Sequence, residues 1–468
     1  MFLSTVFNCF SYFEWLMNKK ICFIANQKKT YFFNGIAREL IKAGYEIFWI
    51  TVSERLKEEL VAEYGADKVL VLHRHMNLNS IADFKLNEIV LSDRSLRIQK
   101  SWAYSYLKGA QVYLYDFIKN NQICTIFGEV TWAHEMLTHR MTVLMSELNC
   151  KYITPHTVRM PSGYFGFFGD EVQSELIPRP AGMEFEKIAL KVVKPDYLHL
   201  NDKIVKSYYS LSQRLSRLKS FILSKEYEEG NPCMIHSKSQ KLGVYLRREI
   251  NRELYRFVRP RKLELSIETT DYVLYPLHKQ PEASVDVMGR YYDDQYLNIL
   301  NIWRGLPEGW LLLVKEHSNA IGDRSLGFYK KLTKLKDVFL VGENEDSHNL
   351  IKHAASVFTV SGTAAYEAAL MGKSSFTFAK SFFNKLALCD QLTLEQLRSS
   401  SIKDLIELQS RGESTKLELS QYEDWISARL FKGIISDPDS NAACMDPENL
   451  VNVARAFQII LGQSLASR

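Results

Sequence analysis

Between residues 310 and 380 the chain reads WLLLVKEHSNAIGDRSLGFYKKLTKLKDVFLVGENEDSHNLIKHAASVFTVSGTAAYEAALMGKSSFTFAK. Short apolar runs alternate with helical patterns in this stretch. The runs span 310–314, 338–341 and 356–360, and the helical patterns span 348–354 and 364–371. Buried strands that alternate with helices indicate a parallel sheet. In such a sheet the ligand binds beyond the carboxyl ends of the strands, so polar residues that directly follow a strand are candidate site residues.

Two groups of polar residues follow strands in this stretch. Lys315 and His317 follow the first apolar run, and Ser361, Gly362 and Thr363 follow the third. Glycine permits a tight turn, and the first N–H groups of the next helix have no partner inside that helix. Such an N-terminus favours a phosphate by about 0.3–1 kcal/mol per charge. An ordinary N-cap is the alternative interpretation of the same residues.

Glu367 lies four residues after Thr363 and therefore on the same helix face. A carboxylate at that position can accept hydrogen bonds from both hydroxyls of a ribose, while Lys315 and His317 would supply positive charge to phosphates. This combination predicts a site for a nucleoside mono- or diphosphate. The chain contains no Gly-x-x-x-x-Gly-Lys-Ser/Thr, which argues against a kinase or an ATPase.

Length and composition indicate an ordinary globular protein. A chain of 468 residues is long enough for two or three domains, and a net charge of +5 does not argue for a nucleic-acid partner. Seven scattered cysteines without a Cys-x-x-Cys pair favour a reducing cytoplasm. No run reaches the roughly 20 apolar residues that a spanning helix needs. Residues 1–16 are interpreted as an upstream mis-start, with an interfacial anchor as the alternative.

The first half of the chain opens with a strand at 21–25, a helix at 31–43 and a strand at 46–52. This order predicts a Rossmann-like domain. The residues after its first strand, Asn-Gln-Lys-Lys at 26–29, do not form Gly-x-Gly-x-x-Gly, which argues against a nicotinamide- or flavin-dependent dehydrogenase.

Two further features of the first half bear on function. Glu129 lies where a strand at 123–127 ends, which predicts a carboxylate at the sheet edge; a carboxylate that only stabilises the next helix is the alternative. The segment PSGYFGFFG at 161–169 predicts a packed surface loop, or one that covers an acceptor or touches a membrane.

The segment 201–265 is polar and helical, which predicts a connector or lid between domains. Its arginines at 247, 248, 252 and 256 lie opposite an apolar stripe. A solvated helix face is the common explanation of such a run. The more specific hypothesis is contact of Arg247, Arg248, Arg252 and Arg256 with anionic lipid or a polyanionic acceptor.

Three motifs of the second half resemble one known family. They are PLHKQPEAS at 276–284, VKEH at 314–317 and VSGTAAYEA at 360–368. In order and spacing they are similar to the bacterial capsule polysaccharide biosynthesis family, whose members are GT-B-type glycosyltransferases and include Kdo and sialic acid transferases with CMP-linked donors. The resemblance covers 271–383 well and the first domain loosely, around Gly128 and Glu129. Here Ser318 stands where the relatives have a proline.

The resemblance implies an α/β, GT-B-like fold with two Rossmann-like domains, a cleft between them and a helical connector. It implies a CMP- or UDP-linked sugar as donor substrate, with no cofactor and no bound metal. Glu129 is the first candidate for the catalytic base and Glu282 the second. The expected donor-binding residues are His278, Gln280, Lys315, His317, Ser361, Gly362, Thr363 and Glu367.

The domain organisation expected from the sequence has five parts. They are an extension at 1–16, an acceptor domain at 17–200, a connector at 201–265, a donor domain at 266–440 and a C-terminal segment at 441–468 whose helix packs toward the first domain. The expected function is transfer of a sugar to a capsule or lipopolysaccharide glycan or glycolipid on the cytoplasmic side of the membrane. A nucleotide-sugar epimerase on the same fold and a non-catalytic glycan- or lipid-binding subunit are the alternatives.

Overall fold

A computed structural model describes the protein from residue 19 to residue 466, with gaps. The described residues are 19–76, 79–98, 100–192, 210–223, 228, 230–234, 237–258, 266–412 and 416–466. The prediction of a mis-start or anchor at 1–16 lies outside them.

Strands and helices alternate through most of the described chain. The strands are β1 (Lys20–Ile24), β2 (Glu46–Thr51), β3 (Val69–Val71), β4 (Thr125–Phe127), β5 (Lys151–Val158), β6 (Tyr164–Phe168), β7 (Tyr272–Pro276), β8 (Leu311–Lys315), β9 (Val338–Val341), β10 (Ser356–Thr359), β11 (Ser374–Thr377), β12 (Cys389–Gln391) and β13 (Phe431–Lys432). The helices are α1 (Lys29–Lys42), α2 (Glu54–Tyr64), α3 (Leu86–Ser92), α4 (Lys100–Asn121), α5 (Ala133–Leu144), α6 (Leu211–Leu223), α7 (Lys238–Tyr255), α8 (Gln295–Arg304), α9 (Leu326–Leu332), α10 (Ser347–His353), α11 (Thr363–Leu370), α12 (Leu394–Ser399), α13 (Ile402–Ser410), α14 (Leu419–Ser427) and α15 (Pro447–Ala466).

The described residues form two compact units. The first comprises the described residues within 1–188, 228–235 and 425–468, and the second those within 189–227 and 236–424. Each unit contains one sheet whose strands are mostly parallel, with helices between them in the chain. The predicted fold class, α/β with two Rossmann-like domains, is confirmed. The predicted domain limits stay predictions.

The sheet of the first unit has the order β13-β6-β5-β4-β1-β2-β3. The strands from β5 to β3 are parallel, whereas β6 pairs antiparallel with both β5 and β13. The prediction of a surface loop at 161–169 is therefore wrong, because Tyr164–Phe168 is a strand. Its aromatic side chains at 165, 167 and 168 are buried, which explains why this segment carries so many of them.

The sheet of the second unit is parallel throughout, in the order β12-β11-β10-β7-β8-β9. The chain first adds β8 and β9 on one side of β7, and then returns to add β10 to β12 on the other side. The same reversal occurs in the first unit between β1 and β4. At such a switch point the loops after the two central strands lead away in opposite directions and leave a crevice in which ligands bind.

The C-terminal helix α15 belongs to the core of the first unit. Its buried face packs with residues of β1 and α1, and the ring of Phe457 lies 4.6 Å from that of Phe127 and 5.0 Å from that of Phe167. Phe23 of β1 lies 6.1 Å from the same ring. The end of the chain therefore completes the core on which the β1 and β4 loops rest.

We expect Phe457→Ala to destabilise the first unit by about 3–5 kcal/mol, because it leaves a cavity among fully buried aromatic rings. Val451→Ala on the same helix is the matched control. Val451 is 46% exposed, so its truncation should change stability by no more than about 0.5 kcal/mol. Urea unfolding followed by tryptophan fluorescence measures both; equal effects of the two substitutions would contradict this assignment of the core.

Candidate functional site

In the second unit, two of the predicted motifs meet at the switch point between β7 and β10. The two strands pair in parallel, with Ser356 opposite Val273, so their carboxyl ends lie at the same edge. The motif at 276–284 follows β7, and the motif at 360–368 follows β10. Segments that are distant in the sequence are thereby brought to one place.

A chain of hydrogen bonds joins these two loops. The N–H of Gly362 donates to Oγ1 of Thr359 at 3.1 Å, and this Oγ1 lies 2.6 Å from Nε2 of His278. The N–H of Val360 also donates to Nε2 of His278, at 3.2 Å. A ring nitrogen that accepts an N–H bond carries no proton, so the Thr359 hydroxyl donates to it. Nε2 of His278 therefore positions the loop after β10, a role that the sequence did not indicate.

Close packing fixes the same turn. A Cβ on Gly362 would lie 2.6 Å from Oγ1 of Thr359 and 2.8 Å from Cε1 of His278, so only glycine fits there. The buried side chain of Gln295 fixes the backbone of His278. Its Oε1 accepts from the N–H of His278 at 2.7 Å, and its Nε2 donates to the carbonyl oxygen of His278 at 3.2 Å.

The remaining predicted residues of this motif lie just before α11 or within it. The hydroxyl of Ser361 donates to the carbonyl oxygen of Ser284 at 2.5 Å, a second link between the two loops. Thr363 and Glu367 share a helix face, since Oγ1 of Thr363 donates to Oε1 of Glu367 at 3.4 Å. Nε2 of His348 lies 3.2 Å from the other carboxylate oxygen of Glu367. His348 was not among the predicted site residues.

Lys315 is buried at the end of β8, and its contacts lie on the β9 side. Its Nζ donates to the carbonyl oxygens of Glu316 and Glu343, both at 3.3 Å. Burial lowers the pKa of Lys315, although the carboxylates of Glu316 and Glu343 act in the opposite sense. Because β9 and β10 lie on opposite sides of β7 and β8, this ammonium group is directed away from the turn after β10.

The VKEH motif at 314–317 is joined to the PLHKQPEAS motif at 276–284 through the buried carboxylate of Glu316. Glu316 is fully buried and accepts from Nη1 of Arg324 at 2.7 Å, from the Tyr329 hydroxyl at 2.6 Å and from the N–H of His317 at 2.6 Å. Arg324 also donates to the carbonyl oxygen of His278. The loops after β7 and β8 are thus held together, and the side chain of His317 remains partly exposed at this edge.

The two other predicted residues of the first motif differ in their surroundings. Nε2 of Gln280 donates to Oδ1 of Asp286 at 3.0 Å, inside its own loop. Glu282 is exposed, and its carboxylate accepts from the Ser284 hydroxyl at 3.1 Å. Gln280 therefore shapes the loop, and Glu282 is a solvated carboxylate at its surface.

In the first unit, a charged cluster lies at the switch point between β1 and β4. Glu129 follows β4, and Asn26 and Lys29 follow β1. The ammonium of Lys29 forms an ion pair with Oε1 of Glu129, and Nδ2 of Asn26 donates to Oε2 of Glu129 at 3.0 Å. The Lys29 and Glu129 side chains are only 12% and 14% exposed. Glu129 is thus at the sheet edge, as predicted, but paired with a cation.

The cluster contains a second buried carboxylate, Glu135, whose pKa is shifted in the opposite direction to that of Glu129. Oε2 of Glu135 accepts from the N–H groups of Thr131 and Trp132 at 2.9 and 3.0 Å and caps α5. Burial, reinforced by the charge of Glu129, raises the pKa of Glu135 to about 8. Burial acts on Glu129 in the same sense, but the charge and hydrogen bond of Lys29 lower the pKa of Glu129 below its ordinary value. One carboxylate is therefore ionised beside a neutral one, an arrangement suited to proton transfer.

Asn26 and Lys29 were not among the predicted site residues, although their position in the sequence indicates them. Both directly follow the first buried strand, so the rule that selected Glu129 and Ser361 also selects them.

The described residues contain no group of three His, Cys, Asp or Glu side chains that could hold a metal ion. None of the helices in this part of the chain is long and apolar enough to cross a bilayer.

Comparison with known families supports the interpretation of the second unit. Residues 204–409 match the family model described as capsule polysaccharide biosynthesis protein, and this match contains all three motifs. This segment is similar to that family, and the rest of the chain lies outside the match. The resemblance expected from the three motifs is confirmed. No curated protein sequence matches the chain.

Solved structures with a similar arrangement are distant in sequence. The beta Kdo 2,7 transferase KpsC of Thermosulfurimonas dismutans is 10% identical, with 93% of this chain and 99% of that chain covered and a TM-score of 0.37. The calicheamicin glycosyltransferase CalG4 is 11% identical, with 94% and 98% covered and a TM-score of 0.29. The UDP-GlcNAc 2-epimerase of Methanocaldococcus jannaschii, in complex with UDP-GlcNAc and UDP, is 10% identical, with 94% and 99% covered and a TM-score of 0.28.

We expect Lys29→Gln to raise the pKa of Glu129 above its ordinary value, because burial then acts without the opposing ammonium. At neutral pH the lone buried carboxylate should reduce stability by about 3–5 kcal/mol. The loss should shrink as the pH falls and the carboxylate takes up a proton. Carbon NMR titration of labelled glutamate and urea unfolding at two pH values measure these changes.

Lys28→Gln is the control for this prediction. Lys28 pairs with Asp439, and the two side chains are 58% and 60% exposed, so the substitution should cost less than about 1 kcal/mol. A Glu129 pKa that is unchanged in Lys29→Gln would show that this ion pair does not set the charge of Glu129.

Proposed function

We propose that this protein is a glycosyltransferase that moves a sugar from a nucleotide-sugar donor to a growing cell-surface glycan or glycolipid of the capsule or lipopolysaccharide type. The observation that carries the proposal is the assembly of three family motifs at one sheet edge of the second unit. The hydrogen bond from the N–H of Val360 to His278 joins two of them, and Arg324 links the VKEH motif to His278 through Glu316.

The turn before α11 is assigned to the donor phosphate. Sugar transfer leaves negative charge on the departing phosphate, and fixed N–H donors stabilise such charge without rearrangement. The N-terminal N–H groups of α11 follow the rigid turn at Gly362, which suits them to this role. His317, partly exposed at the same edge, would add a further donor, and the buried Lys315 would support the loop that carries it.

Glu367 is assigned to the ribose of the donor. Its carboxylate lies one helical turn from Thr363, at the start of α11, and is 19% exposed. A carboxylate can accept hydrogen bonds from both ribose hydroxyls, whereas the phosphates would lie nearer the helix N-terminus. His348, in contact with Glu367, would hold that carboxylate in place.

Glu129 is assigned as the base that accepts the proton of the acceptor hydroxyl. A base must be unprotonated before the reaction, and Lys29 favours that state. Glu282 is the second choice, because it is exposed and forms no ion pair with the described residues that would correspond to that of Glu129 with Lys29. The donor is proposed to be CMP- or UDP-linked, with no cofactor and no metal ion required.

The direct test combines the full-length protein with radiolabelled CMP- and UDP-sugars, with and without capsule or lipopolysaccharide acceptors. Transfer of label to an acceptor supports the proposal. Conversion of the nucleotide sugar without any acceptor would identify an epimerase instead. Failure to bind any nucleotide in a thermal-shift panel would favour a non-catalytic subunit.

We expect Glu129→Gln to lower kcat by about 10²–10⁴ with little change in the KM for the donor, because the amide cannot accept the proton. Glu282→Gln is the comparison variant and should leave kcat within a few-fold of the wild type. The reverse result would transfer the role of base to Glu282. Thermal unfolding of both variants separates loss of the base from loss of the fold.

We expect Glu367→Gln to weaken binding of the cognate ribonucleotide about tenfold or more, because charged hydrogen bonds contribute about 1.5–3 kcal/mol each. Binding of the 2′-deoxynucleotide, already weaker, should change much less. Glu395→Gln, at a position 67% exposed on α12, is the control. Calorimetry with the two nucleotides measures the difference; an equal loss for both would remove Glu367 from the ribose.

A further inference from the structure

Helices α6 and α7 of the second unit are joined to each other by ion pairs. Helix α7 also packs against the rest of the unit. Arg214 of α6 bonds the carboxylates of Glu249 and Glu253 of α7. The opposite side of α7 rests on the unit, where the ring of Tyr255 lies 5.0 Å from that of Tyr329. One side of α7 therefore contacts α6 and another contacts the rest of the unit. A third side faces away from both, and we call it the outward side.

Large apolar side chains occupy the outward side. Leu246 and Ile250 lie four residues apart on one face of α7 and are 47% and 59% exposed, and Phe257, two residues after the end of the helix, is 84% exposed. We define these three residues as the apolar row. On α6, Leu215 and Leu223 are 64% and 69% exposed. Several large, exposed apolar side chains on two paired helices are a feature of interaction sites when they form a patch.

The charges of α6 and α7 are predominantly positive. The sequences of α6 and α7 contain eight Lys or Arg side chains and two glutamates, and both glutamates are in ion pairs. Arg247 is exposed directly beside Leu246, and Lys219 is exposed on α6. An exposed apolar row with cations beside it complements a surface that presents anionic groups above an apolar interior.

The structure changes which of the predicted arginines could make such a contact. Arg248 is paired with Asp323 at 2.5 Å on the side of α7 that faces the unit. Arg252 and Arg256 are paired with Glu249 and Glu253 at 2.5 and 2.7 Å. These three arginines therefore neutralise carboxylates of the protein itself. Among the four predicted arginines, Arg247 is the one that is exposed and forms no ion pair within the described part of the chain.

We infer that the outward face of α6 and α7 binds an anionic phospholipid bilayer, with the apolar row at the headgroup boundary and Arg247 and Lys219 beside lipid phosphates. A second copy of the chain fits this face less well. A twofold interface would bring the same positively charged patch against itself, and like charges would then oppose each other. Bilayer binding is independent of the proposed catalysis, because it needs neither donor nor acceptor.

The test is flotation of the full-length protein with vesicles in the absence of nucleotide. Vesicles of phosphatidylcholine mixed with phosphatidylglycerol should carry the protein upward, and vesicles of phosphatidylcholine alone should carry at least about tenfold less. High salt should release most of the bound protein, since the charges lie at the surface.

Two variants separate the apolar and charged contributions. The double substitution Ile250→Ser with Phe257→Ser, and the double substitution Arg247→Glu with Lys219→Glu, should each lower vesicle binding at least about tenfold. Matched controls on α13 are Leu408→Ser, at a position 55% exposed, and Lys403→Glu, which is also exposed. The controls should bind as the wild type does. Circular dichroism checks that each variant is folded.

Three outcomes would overturn the inference. One is absence of binding to anionic vesicles by the wild-type protein. Another is equal binding by the two test variants and the α13 controls. The third is a concentration-dependent dimer, without vesicle binding, that Ile250→Ser with Phe257→Ser dissociates, which would identify the face as a contact between copies of the chain.

Discussion

The hydroxyl of Thr359 is the group on which the candidate donor site depends. It accepts from the N–H of Gly362 and donates to Nε2 of His278, and so ties the loop after β10 to the loop after β7. All three groups lie at the edge of a parallel sheet, largely away from water. A buried polar group that loses its partner costs about 1–3 kcal/mol, so the turn has little freedom to move. The start of α11 is held in position by this constraint.

The same reversal of strand order produces a chemically different cluster in the first unit. There the loops after β1 and β4 bring together an ammonium, an amide and two carboxylates. The second unit places hydroxyls, a glycine and a helix start at the equivalent position. One arrangement favours an ionised carboxylate and the other favours a bound anion, although both follow from the same sheet topology.

Buried strands were predictable wherever an apolar run ended abruptly, because nothing but a sheet or a core helix can cover such a run. The prediction for 161–169 was wrong because glycines interrupt its aromatic residues, so the segment has no continuous apolar run. Its pairing with β5 and β13 shows that it contains a strand. The contacts of Lys315 were not predictable for another reason. The sequence placed it correctly at the end of β8, but could not show that its ammonium bonds carbonyl oxygens on the β9 side.

The sequence by itself determined the two Rossmann-like domains, the three family motifs and the residues that follow each strand, because these depend on local order and on the period of apolar residues. The tertiary structure alone decided which of those residues meet. Lys29 reaches Glu129, and Thr359 reaches His278, across strands that are neighbours in space and far apart in the chain. The charge of a carboxylate and the direction of a side chain depend on such neighbours, and no local pattern records them.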